Sequence, residues 1–174
     1  MKYLPAAALF ALIATHAAAG QVAGLCFTPG QECTGLIVAE IGAARREILV
    51  QAYSFTSPEI VAALVAATKR GVAVRALLDV SNVKPGHDGR PPAGKHAAEA
   101  LAMAGAEVRI DEAHEIAHNK VIILDRVRVI TGSFNFSRSA QTRNAENVAV
   151  LDGADVADRY AANWATHAAH SVNR

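Results

Sequence analysis

The sequence predicts an α/β fold, a mixed and largely parallel β-sheet with helices on both faces, in one domain over residues 20–174. Three observations carry that prediction. Short β-rich runs alternate with helical segments, and such crossovers imply neighbouring parallel strands with helices packed on the sheet. The helical segments bear end signals, Ser57-Pro58-Glu59 at one start and Gly71 and Gly105 at two stops. The length of 174 residues suits a single domain with one hydrophobic core.

Residues 1–19, MKYLPAAALFALIATHAAA, place one lysine before an apolar run and small residues before Gly20. That is the order of a secretory signal, with Ala17-Ala18-Ala19 as the cleavage site. A short buried or membrane helix is the other reading, but the run is too short and too poor in flanking charge for a span. The expectation is an exported protein, periplasmic or secreted, without stable membrane insertion. The two cysteines, Cys26 and Cys33, follow the cleavage point closely. In an exported chain such a pair is most simply a disulfide clipping the mature N-terminus. Two unpaired thiols are the alternative if residues 1–19 are not a signal, and zinc is disfavoured because C-x-x-C spacing is absent.

Within residues 35–46, Leu36, Val38, Ile41 and Ala44 fall at mostly helical spacing. Glu47 to Tyr53 is a β-rich run ending in a turn. Ser57 then caps a helix with Pro58 in its first turn, running to Arg70, and residues 72–79 form the next strand. Residues 81–95, SNVKPGHDGRPPAGK, read as a long loop. A helix near 94–104 leads to a strand at 106–111. Residues 154–170 read as an alanine-rich helix with Tyr160 and Trp164 on one core-facing side.

The formal charge of +1 falls to zero without Lys2, so global charge advertises no polyanionic partner. Between residues 118 and 147, however, Lys120, Arg126, Arg128, Arg138 and Arg143 face only Asp125 and Glu146. Such a local excess can collect phosphates, although arginines are usually just a solvated face.

The stretch HEIAHNKVIILD, residues 114–125, carries two incompatible motifs. His114-Glu115-Ile116-Ala117-His118 fits H-E-x-x-H, a zinc signature that needs a helix to bring both histidines to one face. The flanking EVRID and VIILD read as strands, and Val121 and Leu124 stand where the longer zinc form needs glycine and a third histidine. The zinc reading therefore lacks its structural context. From His118 the chain also reads H-N-K-V-I-I-L-D-R-V-R-V-I-T-G-S-F-N, with His118, Lys120, Asp125, Gly132, Ser133 and Asn135 at set positions. A chance match to six such letters is on the order of one in ten to a hundred million per start point.

That spacing has a physical sense of its own. If 119–124 is a strand, His118 and Lys120 emerge on one face. Asp125-Arg126 makes a turn, and Val127 to Thr131 return as the hairpin partner. Ser133 and Asn135, again two apart, can then point to the same place. An imidazole, an ammonium, a hydroxyl and an amide would converge at one end of a sheet. Lysine supplies charge for a phosphate oxygen, and serine and asparagine supply neutral hydrogen bonds. Histidine can act as a neutral nucleophile or as a charged acid near neutral pH. No metal or other cofactor is needed if these donors take up the charge that develops on phosphorus. Asp125 reads as a turn former or a partner for a basic neighbour rather than a chemical participant, and Gly132 as backbone geometry. His87, His96, His114, His167 and His170 sit in no such arrangement and read as surface or core residues.

This H-x-K-x4-D-x6-G-S-x-N pattern resembles that of the phospholipase D superfamily. Residues 52–79 and 118–150 are similar to its small, secreted, single-motif endonucleases of the Nuc type. The enlarged 81–95 loop and the cysteine pair depart from that pattern. The resemblance implies the phospholipase D-like fold and a further glutamate that hydrogen-bonds the catalytic histidine, matched by Glu146 in AENV. It implies a homodimer whose two motifs meet at one active site, with His118, Lys120, Ser133, Asn135 and Glu146 as the working groups. It also implies nucleic acid, DNA or RNA, as substrate. Phospholipid is the alternative substrate, and a catalytically silent nucleic-acid-binding module is the alternative class.

Overall fold

The computed structural model describes residues 20–85, 89 and 91–174. The segment read as an export signal, residues 1–19, lies outside the described residues, as does His87. Among the described residues no helix is long and apolar enough to cross a membrane.

The central strands are built on β-branched and aliphatic residues in series, as in EILVQA and KVIIL. Among the described residues eight strands form one sheet: β1 (Gln21–Thr28), β2 (Glu47–Ala52), β3 (Ala73–Asp79), β4 (Glu107–Asp111), β5 (Lys120–Leu124), β6 (Arg128–Gly132), β7 (Glu146–Asp152) and β8 (Val172–Asn173). Their order across the sheet is β1-β7-β6-β5-β2-β3-β4-β8. The mixed sheet is as expected, but its largely parallel character is not. Among these strands, parallel pairing is confined to β2-β3 and β3-β4, where helical crossovers join them. The other five pairings are antiparallel. The physical reason lies in the connections after Lys120. A tight turn through Asp125, Arg126 and Val127, between paired Leu124 and Arg128, can only reverse the chain, and Asp125 and Arg126 take positive φ of 53° and 60°.

Helices cover both faces. On one side lie α1 (Cys33–Ala43), α2 (Pro58–Lys69), α3 (Lys95–Met103) and the short α4 (Arg138–Thr142); on the other lies α5 (Ala154–His170). Strand alternation divides the core. In β2, Ile48 and Val50 face α1 and α2, while Leu49 faces α5. The two sides need unequal helices, because Leu77, Val121, Ile123 and Val129 offer one narrow stripe that Ala157, Ala161 and Trp164 cover. Trp164 also donates its indole N–H to the Val50 carbonyl at 2.9 Å. Ser57 caps α2 by accepting from the Ile60 N–H, as its sequence predicts, and Pro58 opens the helix. The end glycines Gly71 and Gly105 take φ of 89° and 95°.

The first two residues of the expected 81–95 loop instead belong to a 3-10 turn, Val80–Asn82, whose Asn82 is buried. The cysteines behave as expected: Cys26 and Cys33 are disulfide-bonded, joining the end of β1 to the first residue of α1.

Candidate active site

One edge of the sheet collects the motif residues because of its register. Ala52 pairs with Lys120, Gly132 with Val148, and Glu146 with Thr28. The end of β2, the start of β5, the end of β6 and the start of β7 therefore lie side by side. His118 and Lys120 enter from β5, Ser133 and Asn135 from the segment after β6, and Glu146 from β7.

His118 is exposed and Lys120 is buried at 7% exposure, and both contact Tyr53 at the end of β2. The Tyr53 and His118 ring centroids are 4.6 Å apart, and the Lys120 ammonium lies 5.2 Å from the Tyr53 centroid. Lys120 Nζ also donates to the His118 carbonyl at 2.8 Å, bridging back over Asn119. Burial pushes the Lys120 ammonium below the ordinary lysine range, and the Glu146 carboxylate opposes that shift. A partly desolvated cation beside an accessible imidazole suits recognition of an anion, because such a charge lacks water to satisfy it.

Across the edge, Ser133 Oγ donates to Glu146 Oε2 at 2.6 Å and accepts from the Asn147 backbone N–H at 3.1 Å. Asn144 Nδ2 donates to the other Glu146 oxygen at 2.8 Å. Within the chain, the Glu146 carboxylate is thus engaged by Ser133 and Asn144. Asn135 sits between Phe134 and Phe136, both 2% exposed, and its Oδ1 is buried without a hydrogen-bond partner among the described residues. The aromatic anchors explain the aim of this segment. Phe136 packs edge-on to Phe55, 6.4 Å between centroids, and its carbonyl accepts from the N–H groups of Thr56 and Ser57. Gly132 is a geometric necessity: at φ 151°, a Cβ there would lie 2.2 Å from the Asn147 carbonyl oxygen.

The same geometry separates residues that the sequence placed together. Asp125 follows β5 at the opposite edge, where its carboxylate accepts from the backbone N–H groups of Arg45, Arg46 and Glu47 at 2.9, 2.7 and 3.0 Å. Arg126 pairs there with Glu47, and Arg128 with Glu40 and Asp152. The expected basic patch is therefore split, because β5 and β6 run the length of the sheet between its members. Lys120, Arg138 and Arg143 remain toward the motif edge. Residues 114–118 are irregular rather than helical, so the H-E-x-x-H letters lack the helix they need. His114 and His118 face different neighbours: His118 meets Tyr53, and His114 meets His167 and His170. Those three histidines, read from sequence as unrelated surface or core residues, gather around Asp111.

Sequence reasoning missed Tyr53, Asn144 and a supporting pair, Asp79 and Asn82. Asp79 is 2% exposed and accepts from the Ala117 N–H at 2.8 Å, fixing the residue before His118. Asn82 donates to the Tyr53 carbonyl and accepts from the Phe55 N–H. The available signal was position: Tyr53 and Asp79 each end a β-rich run on the edge to which the motif belongs.

Residues 37–167 match the family described as cardiolipin synthase, PLD-like domain. A phospholipase D from Rickettsia bellii is 45% identical over 146 residues, which cover 84% of this chain and 69% of the relative. One from Rickettsia felis is also 45% identical, over 80% of this chain and 66% of its own length, so the chain spans about two thirds of these relatives. The crystal structure of Nuc, a phospholipase D family member from Salmonella typhimurium, superposes with a TM-score of 0.80. It is 34% identical and covers 90% of this chain and 99% of its own. NucT from Helicobacter pylori shares the fold, with a TM-score of 0.71 at 19% identity over 90% of this chain and 100% of its own. The motif that the sheet edge assembles and the likeness along most of the chain agree, and the protein belongs to the phospholipase D superfamily.

Proposed function

We propose that this chain is a metal-independent phosphodiesterase, a nonspecific endonuclease acting on DNA or RNA as a homodimer. The observation that carries the reading is the pairing of an exposed His118 imidazole with a buried Lys120 ammonium at the edge that also presents Ser133, Asn135 and Glu146. Displacement at a phosphodiester needs an attacking group and an acid for the leaving oxygen, and one chain supplies one motif histidine. His118 of one protomer attacks phosphorus, forming a P–N bond as the P–O bond to the leaving alcohol breaks. The partner's His118, as imidazolium, gives its proton to that oxygen. It then takes a proton from water, whose oxygen attacks phosphorus and expels His118, leaving a phosphomonoester. Lys120 and Asn135 bind the phosphate oxygens with Ser133 assisting, and Glu146 favours the charged imidazole across the assembled site. Asp125 lies outside this machinery, and Gly132 shapes the backbone that carries Ser133. Residues 1–19 act as an export signal, which fits the Cys26–Cys33 disulfide and a periplasmic or secreted location.

Nucleic acid is favoured by similarity to the Nuc-type endonucleases. The Rickettsia relatives, named phospholipase D, support phospholipid as a second substrate class. Plasmid digestion in chelator, with phosphatidylcholine hydrolysis run beside it, separates the two. His118→Asn should abolish turnover of a chromogenic phosphodiester while sedimentation still reports a dimer. Full activity in that variant, or activity restored only by added metal, would refute the mechanism.

A further inference from the structure

We propose that Asp111, His114, His167 and His170 form a binding site for a divalent transition-metal ion of zinc type. It is separate from the phosphodiesterase site and clamps the end of α5 to the end of β4. Asp111 is the last residue of β4 and is 1% exposed. His114 follows after two residues, and His167 and His170 are three apart in the last turn of α5, on one face of the helix. One ligand atom from each of the four lies within 4.8 Å of every other.

Pairing alone does not account for this arrangement. His167 Nδ1 is 2.6 Å from one Asp111 oxygen, and His170 Nε2 is 3.4 Å from the other. A single histidine would suffice to tether a carboxylate, yet three imidazoles converge, their centroids 5.0 to 5.3 Å apart and their planes inclined by 53° to 77°. The rings are tilted or edge-on rather than stacked, and one nitrogen of each lies within 4.8 Å of the others. The ion-pair partners of Asp111 are imidazoles, while neighbouring Arg109 pairs with Glu107. A buried carboxylate needs a compensating positive charge close by. A divalent ion supplies that charge permanently.

The donor set selects the metal class. Three nitrogens and one carboxylate oxygen suit tetrahedral zinc, whereas calcium and magnesium require oxygen ligands. Tetrahedral bonds of that length set neighbouring ligand atoms about 3.3–3.5 Å apart; the His170–Asp111 distance of 3.4 Å matches that spacing, and the 2.6 Å His167–Asp111 contact lengthens on ligation. Ligation through Nδ1 requires the His167 ring to carry its N–H on Nε2, so ion entry replaces the His167–Asp111 hydrogen bond. The surroundings brace the ligands. The Ala113 N–H donates to Asp111 Oδ1, and Ser171 Oγ donates to the His167 carbonyl at 2.7 Å. A bound ion also fixes His114, in the same loop whose far end presents His118.

The inference reads metal content rather than turnover, so it stands or falls independently of the proposed reaction. Metal-free protein dialysed against zinc chloride should retain about one ion per chain, and cobalt in its place should give the visible spectrum of a tetrahedral site. Zinc at a hundredfold excess over its dissociation constant should raise the melting temperature by about 5–10 °C. His114→Gln and His170→Gln alter exposed side chains that the fold does not require, and each should weaken binding by roughly a hundredfold. His118→Asn should bind zinc as the unaltered protein does. Three results would each overturn the proposal: no stoichiometric zinc, zinc unaffected by both glutamine variants, or zinc lost on replacing His118, which would move ligation to the H-E-x-x-H pair.

Discussion

Replacing Asp125 with alanine should destabilise the protein and spare its chemistry, although Asp125 is a fixed letter of the motif. The residue lies one strand length from the motif edge, roughly 17 Å along β5 from Lys120 at the usual rise per residue. Its carboxylate accepts three backbone hydrogen bonds, from Arg45, Arg46 and Glu47, and so closes the corner between α1 and β2. Hydrogen bonds to a charged group contribute about 1.5–3 kcal/mol each. Two of these three are at the exposed surface, where the freed N–H groups regain water, so a total near 3 kcal/mol is the working figure. Alanine at φ 53° adds about 1 kcal/mol, because aspartate tolerates the left-handed region better. The sum predicts a fall in melting temperature of about 8–16 °C for a chain of this size. Asp125→Asn keeps an acceptor and the backbone preference, and should lose about half as much.

The pH dependence gives a second check with a definite sign. Burial alone would raise the Asp125 carboxyl, but the hydrogen bonds from Glu47, Arg45 and Arg46 outweigh it and hold the group below the usual carboxylate range. A depressed folded pKa stabilises above the unfolded value, about 3.9, and that contribution disappears as pH falls through the folded one. The stability gap between the unaltered protein and Asp125→Asn, measured by urea denaturation, should therefore be full at pH 6 and shrink below about pH 4. Turnover of a chromogenic phosphodiester at 25 °C, well below the melting point, should change less than about twofold per folded molecule. Loss of turnover with an unchanged melting temperature would refute the structural role.

Three further outcomes follow from the same reasoning. Gly132→Ala should cost about 3 kcal/mol or more in denaturant unfolding and lower turnover as well, since the added methyl meets the Asn147 carbonyl that accepts from Ser133. Lys120→Met should cut phosphodiester turnover by about a hundred- to a thousandfold while stability is unchanged or rises by about 1 kcal/mol. The folded protein holds this lysine's proton less tightly than the unfolded chain does, so its charge opposes folding at neutral pH. Reducing Cys26–Cys33 should lower stability by about 2.5 kcal/mol on the chain-entropy scale; an unchanged urea midpoint would show that the clip constrains nothing.

Much of this fold was legible because its signals are local. The C-terminal helix read from residues 154–170 is α5, Ala154–His170, and the Ser57-Pro58-Glu59 start of α2 stands where its capping chemistry places it. The motif residues were legible because a strand's alternation and a tight turn convert sequence spacing directly into position. The direction of most strand pairs was not. Local pattern reveals a strand but not its neighbour, and β1 joins the sheet at its edge, with Val22, Leu25 and Phe27 left exposed. Such a strand is held by backbone pairing to β7, and only its end alternates, with Cys26 and Thr28 buried beside exposed Leu25 and Phe27, too short a pattern to read as a strand. Tyr53 escaped notice for a related reason: its role is set by Lys120 and His118, more than sixty residues later, across the β2–β5 pairing.

The histidine cluster marks the limit of spacing arguments most sharply. H-E-x-x-H drew attention to His114 and His118 because a fixed local spacing implies a shared helix face. That inference fails when the segment is a loop, since four residues of irregular chain can send two side chains to different sites. Conversely, Asp111 and His114 lie more than fifty residues from His167 and His170, and no local template connects them. They meet because β8 returns along β4, Ile110 beside Val172, and so draws the last turn of α5 over the end of β4. Metal-like geometry can therefore arise from the same histidine that a zinc motif names, with every partner different from the ones that motif supplies. The loop between Asp111 and Lys120 is anchored at His114 on one side and by Asp79 to Ala117 on the other. His118 follows directly, so the precision of the nucleophile depends on contacts that its own motif does not contain.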